Sequence, residues 1–114
     1  MTTGHQEFCR RIADAVSRFE QQWMAVQAES VLVDLHDRHL LVTLCGACPT
    51  AEQDYAREDR SRKLLEQVYT ESFDAVRKQL EQAVAEILRL PVESACLHLQ
   101  PPGDVVIVFR LGQR

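Results

Sequence analysis

Two cysteines separated by two small residues, Cys45-Gly46-Ala47-Cys48, form the spacing in this chain that points most directly to chemistry. A Cys-x-x-Cys pair beside a helix start is the arrangement of thiol–disulfide exchange, because the helix's unpaired amides and dipole stabilise a thiolate. Pro91, ahead of a later strand, echoes the proline that faces such thiols. Other features point the other way. Cys45 belongs to a predicted strand, and Thr50 is the expected helix cap, so Cys48 falls outside the first turn. No aromatic residue flanks the pair, and the strand–helix–strand order of a thioredoxin-like fold is missing. Cys45 and Cys48 stand as a redox candidate against the plainer reading of two small residues in a tight loop.

A zinc site would need a second pair of ligands. His36 and His39 flank a predicted hairpin turn, but Cys45 lies six residues beyond His39. At about 3.3 Å per residue that is ~20 Å, the full length of the strand. Cys96 and His98 share a strand face and could join Cys45 or Cys48 only if the third strand neighboured the second. Glu52, Asp54, Glu58 and Asp59 are interleaved with Arg57, Arg60, Arg62 and Lys63, which reads as a solvated face with local ion pairs. The four glycines, Gly4, Gly46, Gly103 and Gly112, are isolated, so no loop cradles a phosphate. The expectation is no metal, no cofactor and no catalytic residue beyond the thiol candidate.

The elements that position these residues follow from periodicity. His5 to about Gln27 has helical spacing, with Phe8, Ile12, Ala15, Val16, Phe19, Trp23 and Val26 on one stripe and Arg10, Arg11, Asp14, Arg18, Glu20 and Gln22 between them. Trp23 is expected in core or interface packing. Val31, Val33 and Leu35, then Leu40, Val42 and Leu44, alternate with their neighbours, which predicts a hairpin. Its Asp37-Arg38 break lacks the glycine that two-residue turns favour, which points to a longer loop. Thr50 and Gln53 are spaced for a capping box, opening a helix that meets no Gly or Pro until Leu90-Pro91. Unbroken, its ~38 residues would span ~57 Å. A break near Asp59–Ser61, in the charged stretch, or a partner chain must absorb that length. Its stripe runs through Leu65, Val68, Tyr69, Phe73, Val76, Leu80, Val84 and Ile87, with Leu64 widening it. Ala95, Leu97 and Leu99, the Pro101-Pro102-Gly103-Asp104 turn signal and Val105–Leu111 form a second hairpin.

The fold class is α+β, in the order helix-hairpin-helix-hairpin (αββαββ). A four-stranded, mostly antiparallel sheet carries two helices on one face, in a single domain over 1–114 whose ends, 1–6 and 112–114, are expected to fray. The other sheet face carries Leu32, Leu41, Cys96, Val106 and Val108, too apolar for a wholly solvated surface. Scattered surface aliphatics are the plain alternative. The patch makes a homodimer the expectation, since two-fold pairs are the commonest oligomers.

The 114 residues, 46% hydrophobic and 26% charged with net charge −4, suit one globular domain. The acidic balance argues against a nucleic-acid partner. No apolar run reaches the ~18–20 residues of a membrane span, so no direct membrane insertion is expected. The start has no signal-peptide pattern, so the cytoplasm, with reduced thiols, is the expected location.

One family shares this arrangement. Phe19, Val31-Leu-Val-Asp-Leu35 with Leu40-Leu-Val-Thr-Leu44, Gly46 before Thr50-Ala51-Glu52, the long charged helix, Ile87-Leu-Arg-Leu-Pro-Val92 and Val106-Ile-Val-Phe-Arg-Leu111 resemble the MpsC-type domain over about Arg10 to Leu111. That family, long of unknown function, is named after a sodium-translocating, membrane-potential-generating system in which it accompanies integral membrane subunits. The resemblance implies a soluble partner or regulator of a membrane transport subunit rather than a transporter, and it carries over no catalytic residue. Three functions are in view: a non-enzymatic interaction or regulatory domain accessory to ion transport, a thiol–disulfide protein using Cys45 and Cys48, and a small-ligand sensor.

Overall fold

A computed structural model describes residues 3–23, 28–101 and 103–113, with side chains from residue 6 onward and not at 21–23. Its elements are α1 (Thr3–Trp23), β1 (Ser30–His36), β2 (His39–Cys45), α2 (Thr50–Arg57), α3 (Asp59–Asp74), α4 (Arg77–Leu88), β3 (Val92–Gln100) and β4 (Asp104–Leu111). The strands form one antiparallel sheet in the order β1-β2-β4-β3. The second strand of each hairpin is therefore central, and the first is an edge. The fold is α+β, with the helices against one sheet face: α1 on β1 and α4, and α3 and α4 on β3.

Strand alternation sets the core. Leu40, Val42 and Leu44 of β2, Ala95, Leu97 and Leu99 of β3, and Val105, Ile107, Phe109 and Leu111 of β4 are buried against Ile12 and Val16 of α1, Tyr69 and Phe73 of α3, and Leu80 and Val84 of α4. An extra residue, Glu93, sits in β3 where the register shifts between Val92 and Ser94. This bulge lets a short polar stretch precede the alternation of Ala95, Leu97 and Leu99.

The region from Thr50 to Leu88 is three helices rather than one. The first break falls at Glu58, whose extended backbone (φ −96°, ψ 128°) separates α2 from α3, one residue before the Asp59–Ser61 stretch where the charged run predicts it. The second, at Ala75–Val76, was not expected from sequence. There α3 closes with Ala75 N–H on Ser72 C=O, and Val76 (φ −115°, ψ −4°) leads into α4. The breaks hold the molecule to 41 Å in its longest dimension. They let Phe73, Val76 and Leu80 all reach the core. The expected stripe fails at Leu64 and Val68, which are 65% and 58% exposed because α3 turns that side away from the sheet.

Three local expectations are corrected. The first hairpin closes through two residues, Asp37-Arg38, with His36 paired to His39 and Asp37 at φ 54°. Aspartate tolerates this left-handed conformation, so a glycine is not needed. The capping box does not form: Pro49 is the N-cap of α2, Thr50 is its first residue, and Gln53 instead donates to the Cys48 carbonyl at 3.4 Å. Glu20, placed on the polar side of α1, is 1% exposed because it continues the Ile12–Val16 stripe by one turn. The expected packing of Trp23 and Val26 lies outside the described side chains.

Candidate functional site

The outer sheet face is built by strand parity. Registers place Asp34, Leu41, Val108 and Cys96 in one row across the four strands. Leu32, Thr43, Val106 and His98 form the next. Leu41, Val108, Cys96 and Val106 are therefore contiguous, with Leu32 reaching the same field beside Thr43. Among the described residues no helix packs on this side. Leu32 is 60% exposed and Cys96 is exposed, while Leu41, Val106 and Val108 are half-buried by their strand neighbours. Polar groups rim the patch: Asp34 with His36 at 2.8 Å on the β1 edge, and Arg110 with Glu93 at 3.4 Å near the bulge. The two free edges differ. α3 lies along β3, and the Glu66 carboxylate accepts the Leu99 backbone N–H at 2.8 Å, with His98 3.8 Å from its other oxygen.

The thiol loop folds differently from a redox motif. Cys45 ends β2 on the outer-face side, half-exposed, beyond Leu41 and Thr43. Gly46 then takes φ +69°, a conformation that side chains rarely adopt, and its N–H donates to Asp104 Oδ1 at 2.9 Å. A Cβ there would also stand 3.0 Å from the Glu29 side chain. The chain turns inward, Cys48 N–H donates to Gly103 C=O at 2.9 Å, and the Cys48 sulfur joins the core. The two thiols thus belong to opposite sides of the sheet, and both are free. Burial pushes the Cys48 thiol up, against the lowering that a nucleophile needs, and the nearby Glu52 charge adds to it while the Tyr69 hydroxyl opposes it.

Cys96 and His98 are separated from β2 by β4, so the geometry that would join them to Cys45 does not arise. His36 lies at the opposite edge, on β1. Among the described residues no three His, Cys, Asp or Glu side chains converge on one point.

Two features escaped the sequence reading. Tyr69, buried on α3, donates from its hydroxyl toward both Glu52 oxygens at 3.2 Å and lies 3.7 Å from Cys48 Sγ. Burial, reinforced by these neighbours, drives the phenol far above its ordinary range. A recess of about 400 Å3 opens between α2 and α3, where Tyr55, Leu64 and Val68 stand exposed. The signal was the surplus of apolar residues around α3, too wide a stripe for one buried face.

Among the described residues no helix is long and apolar enough to cross a membrane. Residues 5–113 match the family model described as the Na+-translocating membrane potential-generating system (MpsC). No curated protein matches, and no solved structure does.

Proposed function

The chain belongs to the MpsC family, and from that premise we propose that it is a non-enzymatic interaction domain that pairs with a second copy through its outer sheet face and serves as an accessory to a membrane ion-transport system. The carrying observation is the uncovered patch of Leu32, Leu41, Val106, Val108 and Cys96. An apolar centre with a polar rim is the anatomy of a protein interface. A two-fold places one such face on its own copy, so a single patch serves both sides. The family's description supplies the transport setting, and a cytoplasmic location belongs to the same proposal. Cys45 and Cys48 offer weaker support for redox work, since one thiol is in the core with its ionisation suppressed.

Sedimentation of the wild-type chain and of Leu41→Asp and Val108→Asp tests the pairing. A wild-type dimer, with both variants monomeric and unchanged in circular dichroism, is expected. A wild-type monomer at high concentration, or variants that still pair, overturns it. The transport role is read from cell fractions: wild type should sediment with membranes and be released by a salt wash. Recovery wholly in the supernatant overturns that part.

A further inference from the structure

Five large hydrophobic side chains stand exposed among the described residues, and three of them, Tyr55, Leu64 and Val68, line one recess. Such convergence distinguishes a site from the scatter that any surface shows. The recess is formed by Glu52 and Tyr55 of α2 and by Ser61, Leu64, Leu65 and Val68 of α3. Helical three- and four-residue spacing puts each set on one stripe, and the extended Glu58 folds the two stripes toward each other. At about 400 Å3 it has the volume of a small-molecule site.

Its one acidic wall residue is Glu52. The Tyr69 hydroxyl holds the Glu52 carboxylate from behind at 3.2 Å to each oxygen. Among the described residues no cation pairs with it. Two arginines of these helices pair with other carboxylates, Arg57 with Asp54 and Arg62 with Asp59. An oriented carboxylate without a counter-ion, set in an apolar wall beside an exposed phenol ring, selects positive charge attached to hydrocarbon.

We propose that the α2–α3 recess binds a small organic cation with an apolar body, its ammonium against the Glu52 carboxylate and the Tyr55 ring and its hydrocarbon over Leu64, Leu65 and Val68. Tyr69 acts as a positioning residue that aims the carboxylate. The recess belongs to the helical layer, away from the outer sheet face, so this binding stands or falls separately from dimer formation.

The test titrates the full chain with phenethylamine, phenethyl alcohol and hydrocinnamate, which share one apolar body and differ in the charge of the head. Calorimetry gives affinities, and methyl resonances of Leu64, Leu65 and Val68 give the location. The amine is expected to bind there about tenfold more tightly than the alcohol, as one charge-assisted contact provides, and the carboxylate more weakly still. Glu52→Gln should bring the amine to the alcohol's affinity. Tyr69→Phe should weaken the amine and leave the alcohol unchanged, which a loss of packing alone would not do. In the wild type, added salt should weaken the amine selectively. Equal affinity for the three heads, absence of salt dependence, or shifts outside the recess methyls overturns the proposal.

Discussion

Glu20 is a carboxyl group almost wholly removed from water, with Oε1 accepting the Ala28 backbone N–H and no partner for Oε2 among the described residues. Burial raises its pKa, and the Ala28 contact opposes that only in part. The folded chain therefore keeps a proton that the unfolded chain releases near its ordinary pKa of ~4.3. The stability that this group contributes is complete below that pH and is lost as pH rises through the higher folded value. Glu20→Gln should match wild type at about pH 4 and exceed it at about pH 7.5, because the glutamine has no proton to lose as pH rises. Urea unfolding at the two pH values checks it; a constant difference between variant and wild type would mean that ionisation plays no part. The thiols carry a second prediction. At concentrations where the chain is monomeric, Cys96 should react at once with a disulfide reagent, and Cys48 only after unfolding, because one is exposed and the other is in the core. Residue spacing made the Cys45–Cys48 pair legible, but not its division between two sides. That division depends on Gly46 at φ +69° and on its bond to Asp104, 58 residues away.

At the scale of elements, the strands and the first helix are legible because alternation and helical spacing follow from burial on one side. Leu40, Val42 and Leu44 are inside as their period demands. The helix breaks divide by cause. The one at Glu58 follows from a charged stretch with little to bury. The one at Ala75–Val76 has no local marker, since Asp74-Ala75-Val76-Arg77 lacks Gly and Pro. It arises where Phe73 and Val76 must both meet the sheet, a tertiary demand that overrides helix propensity. Glu66 shows how one element guards another: from α3 it occupies a backbone donor on the free edge of β3. Unpaired edge groups invite another strand, so this contact also opposes aggregation. Glu66→Ala should cost about 1–2 kcal/mol and speed hydrogen exchange at the Leu99 amide, while Glu66→Gln, which retains an acceptor, should lose less than half of that. Unchanged exchange at Leu99 in the alanine variant would remove the edge-guarding role.

For the whole molecule, the strand order β1-β2-β4-β3 was beyond the sequence, because either strand of the second hairpin can meet β2 with its apolar side inward. The order matters for the outer face. With β4 central, Leu41 pairs with Val108 and Val108 with Cys96, so the apolar residues fuse into one field; with β3 central, Cys96 and His98 would have lain between them. Cys96 then reports on assembly from within the patch. If two copies close over this face, its thiol is shielded in the dimer and open in the monomer. Alkylation of Cys96 should slow as protein concentration rises through the dimer dissociation constant, and the observed rate should track the monomer fraction when exchange is faster than labelling. In Leu41→Asp the rate should stay at the monomer value at every concentration, because a charge at the centre of a desolvated patch opposes closure. A Cys96 rate independent of concentration in a wild-type chain that sediments as a dimer would place the contact elsewhere.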